Sequence, residues 1–463
     1  MHKCACLLIG VLFAQRIISR TQIEVKGYSV EKVGMPYALV PAGKGRFAYI
    51  EYWAQDKPKP GWYIECQNTD YYTQWSQMID IPEAGKGRPL RLLSLKESLV
   101  LLSYEEDPLT RGVTQEVARF YDFKGQLLLP KWVSISTYDR PMNEARAGII
   151  PSGDSTHFLW YAYEVNKKST VERSLYAVWS QNGRKVSSST DWGMRDMPLA
   201  LALDHRLCIW TVERSPDRQT TIGCYDTRGR TNRRWKVSID TVFYEPRLYP
   251  TSKGIYVAGL LPGEKNIPHK DGMRIGKWAI GFLPMPLTDT SAFHWTIAPF
   301  PEEWLSLYKE PTNFSAKEIL SIADTAVYVL WEDIRSRGGA ALAYDVWAVR
   351  WRKIGDSLAF HWAYRIEKRQ KEPDMRMVSF LRGVGPTFIT IAFLTERTGK
   401  GKLIAYQINH QTGEAVTKEL ATNAAGDMLL LPMEAAYLGP QEVICLALAP
   451  ASKNGYQIYH IKL

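Results

Sequence analysis

The chain has 463 residues, 45% of them hydrophobic and 12% aromatic, and its formal net charge is +10. This apolar content excludes an intrinsically disordered chain. The length would permit about three ordinary domains. Because no Ser/Gly/Pro-rich linker or block of like charge divides the sequence, we predict a single domain from residue 15 to residue 463.

The first residues have the pattern of an export signal. Lys3 supplies a positive charge, an apolar run extends from Cys4 to Ala14, and Ala14 is small enough for a cleavage site. The run is too short to span a bilayer, which takes roughly 20 residues. We therefore predict a signal peptide over residues 1–14 and a periplasmic or extracellular protein with no transmembrane segment. The alternative is a buried first strand of a cytosolic protein.

Short apolar strands separated by turn residues recur along the whole chain. Each unit begins with one strand, continues with a hairpin and, in most units, ends with a fourth strand. The predicted first strands are Tyr37–Val40, Leu90–Leu95, Ala147–Ile150, Leu199–Leu203, Arg247–Tyr249, Glu318–Ile322, Met377–Leu381 and Met428–Leu431. The result is eight units of roughly 45 to 70 residues, which match the four-stranded blades of a β-propeller in strand order and length.

The two ends of the chain predict ring closure. The last unit stops at Leu463 after its third strand, whereas Gln22–Val30 has the pattern of a strand without a unit of its own. Pairing these segments would complete the last blade and remove an exposed sheet edge. We predict an all-β propeller of eight four-stranded blades, closed by the N-terminal strand. Seven blades are the alternative, because the long region between the fifth and sixth units could conceal a miscounted blade.

Several hairpins share a strand that ends in an acid and a loop rich in Lys and Arg. Val212–Arg218, Glu332–Arg337 and Thr395–Lys400 are three copies. We expect the acid to pair with an arginine of the adjoining loop, an exposed contact that contributes at most about 1 kcal/mol. The pattern therefore indicates the geometry of the hairpin and does not point to a catalytic reaction.

One hairpin resembles a known repeat. Trp331–Arg335 reads WEDIR, and Tyr344–Arg350 in the following strand reads YDVWAVR. This pair resembles the repeat of secreted bacterial β-propellers, in which a Trp-x-Asp-x-Arg strand end precedes a strand reading Asp-Ile-Tyr-Ala-Gln-Arg. The resemblance implies a propeller fold and export. It covers one unit well and carries no catalytic residue with it.

Cysteine and histidine spacing predicts no metal site and no cofactor. No CxxC, HExxH or HxH pattern occurs, and no phosphate-binding loop or nucleophile elbow occurs either. Cys208 and Cys224 lie on the two arms of one predicted hairpin, so a disulfide between them is one alternative and two free thiols the other.

We define the channel-mouth face of the predicted propeller by its loops. These join the second strand of a blade to the third, and the fourth strand to the first strand of the next blade. Aromatic, arginine and carboxylate side chains there suit a sugar or an anion. The predicted ligand-binding residues are Arg140, Trp192, Arg195, Tyr244, Arg247 and Trp304. We expect Trp304 on a short helix over residues 301–308. The alternative is that these residues cap strands and join neighbouring blades.

The leading prediction is a monomeric, exported, non-catalytic propeller that binds a ligand or partner on this face. The positive charge favours an acidic polysaccharide or a protein as that partner. Nucleic acid is not predicted, because the basic residues alternate with acids and no reading motif occurs. The alternative function is a propeller glycosidase or polysaccharide lyase, with Glu144, Asp196 and Glu245 as its catalytic carboxylates. Glycosidases need two such groups roughly 5 to 10 Å apart.

Overall fold

The structure is a computed structural model that describes most of the chain from residue 24 onwards. The described ranges are 24–31, 38–53, 61–79, 88–106, 114–129, 133–137, 145–165, 171–189, 192–194, 197–214, 219–228, 234–239, 242–261, 277–285, 293–297, 312–322, 326–337, 340–354, 357–365, 382–384, 389–395, 401–409, 413–423, 432–439, 442–448 and 455–462. The predicted signal peptide and the predicted helix over residues 301–308 lie outside these ranges.

All regular structure in the described ranges is β-strand. The N-terminal strand is β1 (Glu24–Glu31). The first and second sheets contain β2 (Leu39–Pro41), β3 (Arg46–Trp53), β4 (Gly61–Asn68), β5 (Thr73–Met78), β6 (Arg88–Ser94), β7 (Ser98–Glu106), β8 (Thr114–Asp122) and β9 (Val133–Thr137). The third and fourth contain β10 (Ala145–Pro151), β11 (His157–Val165), β12 (Val171–Ser180), β13 (Lys185–Ser189), β14 (Ala200–Leu203), β15 (Cys208–Arg214), β16 (Thr220–Asp226) and β17 (Arg234–Ile239).

The remaining sheets continue the same pattern. The fifth and sixth contain β18 (Tyr244–Thr251), β19 (Gly254–Leu261), β20 (Lys277–Pro284), β21 (His294–Ile297), β22 (Thr312–Ile322), β23 (Ala326–Arg337), β24 (Ala340–Ile354) and β25 (Ser357–Arg365). The seventh and eighth contain β26 (Arg382–Val384), β27 (Ile389–Thr395), β28 (Gly401–Ile408), β29 (Ala415–Asn423), β30 (Pro432–Gly439), β31 (Glu442–Leu448) and β32 (Gly455–Lys462).

The strand order within each sheet is that of a β-propeller blade. Seven sheets are antiparallel meanders of four strands consecutive in the chain, and the eighth has the order β1-β32-β31-β30. This confirms the predicted count of eight four-stranded blades and removes the seven-blade alternative. The first strand of each sheet is the innermost, and innermost strands of neighbouring sheets lie in contact, as β14 does with β18.

The N-terminal strand forms the outer edge of the eighth sheet. Along β1 and β32 the antiparallel register runs from Glu24 opposite Lys462 to Glu31 opposite Gly455, which confirms the predicted pairing. The first sheet also packs on the eighth, where Phe47 and Tyr49 join a buried cluster with Ile458. Residues from the two ends of the chain therefore share one seam.

The core consists of layers between sheets, so each central strand is buried on both faces. In β7, Val100 and Leu102 pack towards the third sheet. Leu99 and Leu101 of the same strand pack towards the first sheet. Alternate residues of a strand point to opposite faces. Burial of both faces explains why the second and third strands of the units are continuous apolar runs rather than alternating ones.

Several strand boundaries differ from the prediction. The apolar run Leu127–Ile135 has the sequence pattern of a fourth strand for the second unit, whereas in the structure Leu127 forms only an isolated bridge with Tyr121 and β9 begins at Val133. The acid-plus-arginine segment Glu332–Arg337 is not a loop, because β23 continues through Arg337. Strand pairing uses main-chain groups, which charged side chains leave intact.

The described innermost strands of the last two sheets follow the predicted segments in the chain. They are Arg382–Val384 and Pro432–Gly439, whereas the predicted segments Met377–Leu381 and Met428–Leu431 lie outside the described ranges. The strand predicted over Glu318–Ile322 begins earlier, since β22 begins at Thr312.

Cys208 and Cys224 share one face of the fourth sheet without facing each other. Cys208 lies opposite Asp226, and Cys224 lies opposite Trp210, so the two cysteines are diagonal neighbours. Both are buried and free, as are Cys66 and Cys445. Diagonal Cα atoms in an antiparallel pair are about 7 to 8 Å apart, which is beyond the usual reach of a disulfide. In the structure, Cys208 and Cys224 are therefore two neighbouring free thiols and do not form a disulfide.

Candidate functional site

The strand order decides which residues lie on the channel-mouth face. Chain direction alternates from strand to strand, so the end of each second strand, the start of each third strand and the entry to each first strand lie at the same end of the propeller. Glu213 near the end of β15, Ser174 near the start of β12 and Trp192 before β14 all lie at this end.

Trp192 is at the centre of an aromatic group between the third and fourth sheets. Its ring centroid lies 6.3 Å from that of Tyr163, 5.4 Å from that of Tyr176 and 5.1 Å from that of Tyr225. All four side chains are buried, with at most 5% of each residue exposed. We call Trp192, Tyr163, Tyr176 and Tyr225 the Trp192 cluster. It joins β11 and β12 of one blade to β16 of the next.

Hydrogen bonds to β12 hold the segment that carries Trp192. The Trp192 main-chain N–H donates to the Ser174 carbonyl oxygen at 3.2 Å. The Met194 main-chain N–H donates to the Ser174 hydroxyl at 3.2 Å, and the Tyr163 hydroxyl contacts the Met194 sulfur at 3.9 Å. The indole ring is thereby placed by three neighbouring contacts.

The indole nitrogen of Trp192 is buried and donates no hydrogen bond within the described part of the chain. A buried donor left unpaired costs about 1 to 3 kcal/mol, so such a group is a candidate for pairing with a bound molecule. Trp179 and Trp351 also have unpaired indole nitrogens. Both lie near the far ends of third strands, away from the channel-mouth face.

A carboxylate lies beside the Trp192 cluster. Glu213 Oε1 accepts hydrogen bonds from the Thr211 hydroxyl at 2.7 Å and from the Tyr225 hydroxyl at 3.3 Å. Glu213 Oε2 lies 3.9 Å from Lys236 Nζ on β17. The predicted local pairing of this acid with Arg218 cannot be compared, because Arg218 lies outside the described ranges.

The phenols of the site remain protonated at neutral pH. Burial raises the pKa of Tyr163 well above its usual value, and the neighbouring Tyr161, Tyr225 and Glu213 raise it further. Burial also raises the pKa of Tyr161, although Arg91 acts in the opposite direction. Both phenols therefore act as neutral groups that donate and accept hydrogen bonds.

The structure describes few of the side chains predicted for the site. Trp192 lies before β14, at the channel-mouth end of the fourth sheet, and is buried between two blades. Arg247 lies on β18, the innermost strand of the fifth sheet, with an exposed side chain. Tyr244 and Glu245 are also in β18, but their side chains are not described, and no side-chain placement is described for Arg140, Glu144, Arg195, Asp196 or Trp304.

The sequence prediction did not include the tyrosines that surround Trp192. Tyr161 and Tyr163 alternate on one face of β11, and Tyr176 lies on the same face of β12, opposite Tyr161. This alternation of aromatic residues in neighbouring strands is a usable sequence signal. In the sequence, Tyr225 has only the pattern of a strand end before a turn.

In the described ranges, no group of three or more His, Cys, Asp or Glu residues is placed to hold a metal ion. A search of the same residues for a helix long and apolar enough to cross a membrane finds none.

Comparison with other proteins shows similarity of fold. No protein-family model matches the chain, and no curated protein sequence matches it. The WD40 domain of SCAP from fission yeast is similar with a TM-score of 0.45 at 8% identity, covering 95% of this chain and 98% of that one. Periplasmic gluconolactonase PpgL from Pseudomonas aeruginosa is similar with a TM-score of 0.37 at 10% identity, covering 76% and 92%. At these scores the comparisons support no argument about function.

Proposed function

We propose that the protein is an exported, non-catalytic β-propeller that binds a ligand or partner protein on its channel-mouth face, with Trp192 as the central contact. The observation that carries the proposal is the unpaired indole N–H of Trp192, buried beside Glu213 and three tyrosines. Export is the expectation from the signal-like residues 1–14 and the resemblance to secreted propellers.

The chemistry of the Trp192 cluster suits a sugar-containing ligand. At most 5% of each of these aromatic residues is exposed, so the cluster presents an aromatic edge, rather than a free ring face, to the apolar side of a sugar. An unpaired N–H and a carboxylate beside the rings provide one donor and one acceptor for hydroxyl groups. The net charge of +10 favours an acidic polysaccharide over a neutral one, because it raises the local concentration of anions.

A binding experiment with matched tryptophan variants tests the proposal. Protein beginning at residue 15 is screened on a glycan array, and the best glycan is measured by isothermal titration calorimetry. Trp192→Phe keeps an aromatic ring but removes the N–H, so we expect a loss of affinity of about 3- to 10-fold, the value of one hydrogen bond. Trp192→Ala should lose more, because it also removes the ring against which Tyr163, Tyr176 and Tyr225 pack.

Trp179→Phe is the control, because Trp179 also has a buried, unpaired indole N–H but lies near the opposite end of its strand. Trp179→Phe should change the free energy of unfolding about as much as Trp192→Phe does and leave the affinity for the glycan unchanged. Unchanged binding by Trp192→Ala, or an array without any bound glycan and no partner captured through this face, would overturn the proposal.

The glycosidase or lyase alternative is a separate prediction. Its carboxylates Glu144, Asp196 and Glu245 lack described side chains. Incubating the best glycan with the protein and analysing products by mass spectrometry tests it. We expect intact glycan; cleavage that is lost in Glu144→Gln, Asp196→Asn or Glu245→Gln would establish the enzyme.

A further inference from the structure

An arginine and a tyrosine from neighbouring blades meet at consecutive residues of β10, the innermost strand of the third sheet. Arg91 lies on β6, the innermost strand of the second sheet, and its side chain is exposed. Arg91 Nη1 donates to the Ile149 carbonyl oxygen of β10 at 3.0 Å. The guanidinium group therefore bridges two innermost strands, which puts it on the wall of the channel.

The Tyr161 hydroxyl lies over Gly148, the residue before Ile149. Tyr161 and Gly148 are directly opposite each other in β11 and β10. A Cβ added to Gly148 would lie only 2.3 Å from the Tyr161 hydroxyl oxygen, so only glycine leaves room for the phenol there. The Arg91 and Tyr161 donors thus meet one short stretch of the same strand.

Arg91 keeps donors available for a ligand. Its contact with Ile149 uses one of five N–H groups, and no carboxylate among the described side chains lies within ion-pair distance of it. Tyr161 is partly buried. A guanidinium and a phenol O–H placed at consecutive residues of one strand are suited to a carboxylate, which can accept from both.

The innermost strands, which form the wall of the channel, also carry an excess of basic residues over acidic ones. The innermost strands contain six basic residues, namely Arg88, Arg91, Arg146, Arg247, Lys317 and Arg382, and three acidic ones, namely Glu245, Glu318 and Glu434. Arg247, like Arg91, has an exposed side chain. An excess of positive charge in a concave, low-dielectric channel attracts anions.

The channel wall and the Trp192 cluster are continuous. The ring centroids of Tyr161 and Tyr163 are 5.7 Å apart, and Tyr163 in turn lies against Trp192. A single ligand in the channel would contact Arg91 and the partly exposed Tyr161 through an anionic group, with its apolar part directed towards the Trp192 cluster.

We infer that the ligand is an acidic saccharide of the uronic-acid type, with a carboxylate held by Arg91 and Tyr161 in the channel and sugar rings extending towards Trp192. This inference rests on the proposed function and specifies its ligand. Arg91 contributes charge and Tyr161 contributes a neutral O–H, so Arg91 sets the preference for an acidic over a neutral sugar. Attraction between exposed charges weakens as salt increases.

The test compares tetragalacturonate with its fully methyl-esterified form by isothermal titration calorimetry at 50 mM and 300 mM NaCl. We expect the wild-type protein to prefer the acid at least about tenfold at low salt, equivalent to about 1.4 kcal/mol. Arg91→Gln should reduce this preference below about threefold and leave the ester affinity unchanged. Tyr161→Phe should reduce only the affinity for the acidic form, by about threefold.

Two further variants complete the design. Gly148→Ala should displace the Tyr161 hydroxyl and reproduce the effect of Tyr161→Phe. Arg46→Gln is the control, because Arg46 also donates to a main-chain carbonyl, that of Phe123 at 3.3 Å, but lies at the far end of the propeller. An undiminished preference in Arg91→Gln, or wild-type protein that binds neither form, overturns the acidic-saccharide inference. The proposed function is judged separately by the Trp192 variants on the glycan array.

Discussion

The hydroxyl of Tyr71 accepts a hydrogen bond of 2.9 Å from the main-chain N–H of His460, a residue 389 positions further along the chain. The same hydroxyl lies 3.5 Å from the Ile458 carbonyl oxygen. Tyr71 has a φ of 65°, in the left-handed region that residues other than glycine seldom adopt. The turn after β4 is thus held in an unfavourable conformation while its side chain fastens the first sheet to the eighth.

Tyr71→Phe should weaken that seam. Removing the hydroxyl takes away the acceptor of the His460 N–H, and the expected loss of unfolding free energy is about 1 to 3 kcal/mol. Chemical denaturation followed by tryptophan fluorescence measures it. Tyr72→Phe is the matched control, because Tyr72 is the next residue and is 71% exposed. Equal stabilities of the two variants would contradict the role of Tyr71.

Deleting residues 15–34 should expose the edge of β32. The deletion removes β1, whose pairing with β32 spans Glu24 to Glu31, so the eighth sheet loses its fourth strand. We expect the melting temperature to fall by many degrees and aggregation to increase, because an unpaired edge recruits other chains. Deleting residues 15–22 alone retains β1 and should have little effect. A melting temperature unchanged by the longer deletion would rule out closure by the N-terminal strand.

Gly125→Ala should destabilise the contact between the first and second sheets. Gly125 has a φ of +83°, and an added Cβ would lie 2.6 Å from Trp75 Cδ2. The Trp75 indole N–H donates to the Phe123 carbonyl oxygen of the same turn at 3.1 Å, so the ring cannot easily move away. Overpacking of this kind costs about 1 to 3 kcal/mol.

Gly45→Ala separates this overpacking from backbone strain. Gly45 has a φ of +64°, but no atom lies within 4 Å of the added Cβ. We expect Gly125→Ala to lower the free energy of unfolding by at least about 1 kcal/mol more than Gly45→Ala does. A smaller or reversed difference would show that Trp75 adapts to the methyl group.

Cys208 and Cys224 should be recovered as thiols. Their diagonal register separates them beyond the usual disulfide distance, and their mutual hydrogen bond together with burial raises the pKa of the Cys224 thiol. Alkylation after denaturation without reductant, followed by mass spectrometry, should find both residues modified in protein from an oxidising compartment. Linked peptides from residues 208 and 224 would contradict this register.

The sequence alone determined the eightfold repetition, the strand order and the closing strand. These features depend on the local alternation of apolar residues and on turn residues. Such patterns involve neighbours in the chain and can be read directly from the sequence. Gln22–Val30 was assigned to the last blade because the last unit lacked a strand, and β1 pairs with β32 accordingly. Strand ends were less certain, since main-chain pairing in β23 continues past Glu332 and Asp333 regardless of their charge.

Only the tertiary structure decided which side chains meet. Loop position identified Trp192, but its contacts with Tyr163 and Tyr225 depend on how the third and fourth sheets are turned against each other. The meeting of Arg91 with Ile149 likewise depends on the spacing of two innermost strands from different blades. Within a hairpin, a shift of one residue moves a side chain to the other face, and for this reason the relation of Cys208 to Cys224 also required the register. Spacing between sheets is set by the packed volume of both faces, which no single strand encodes.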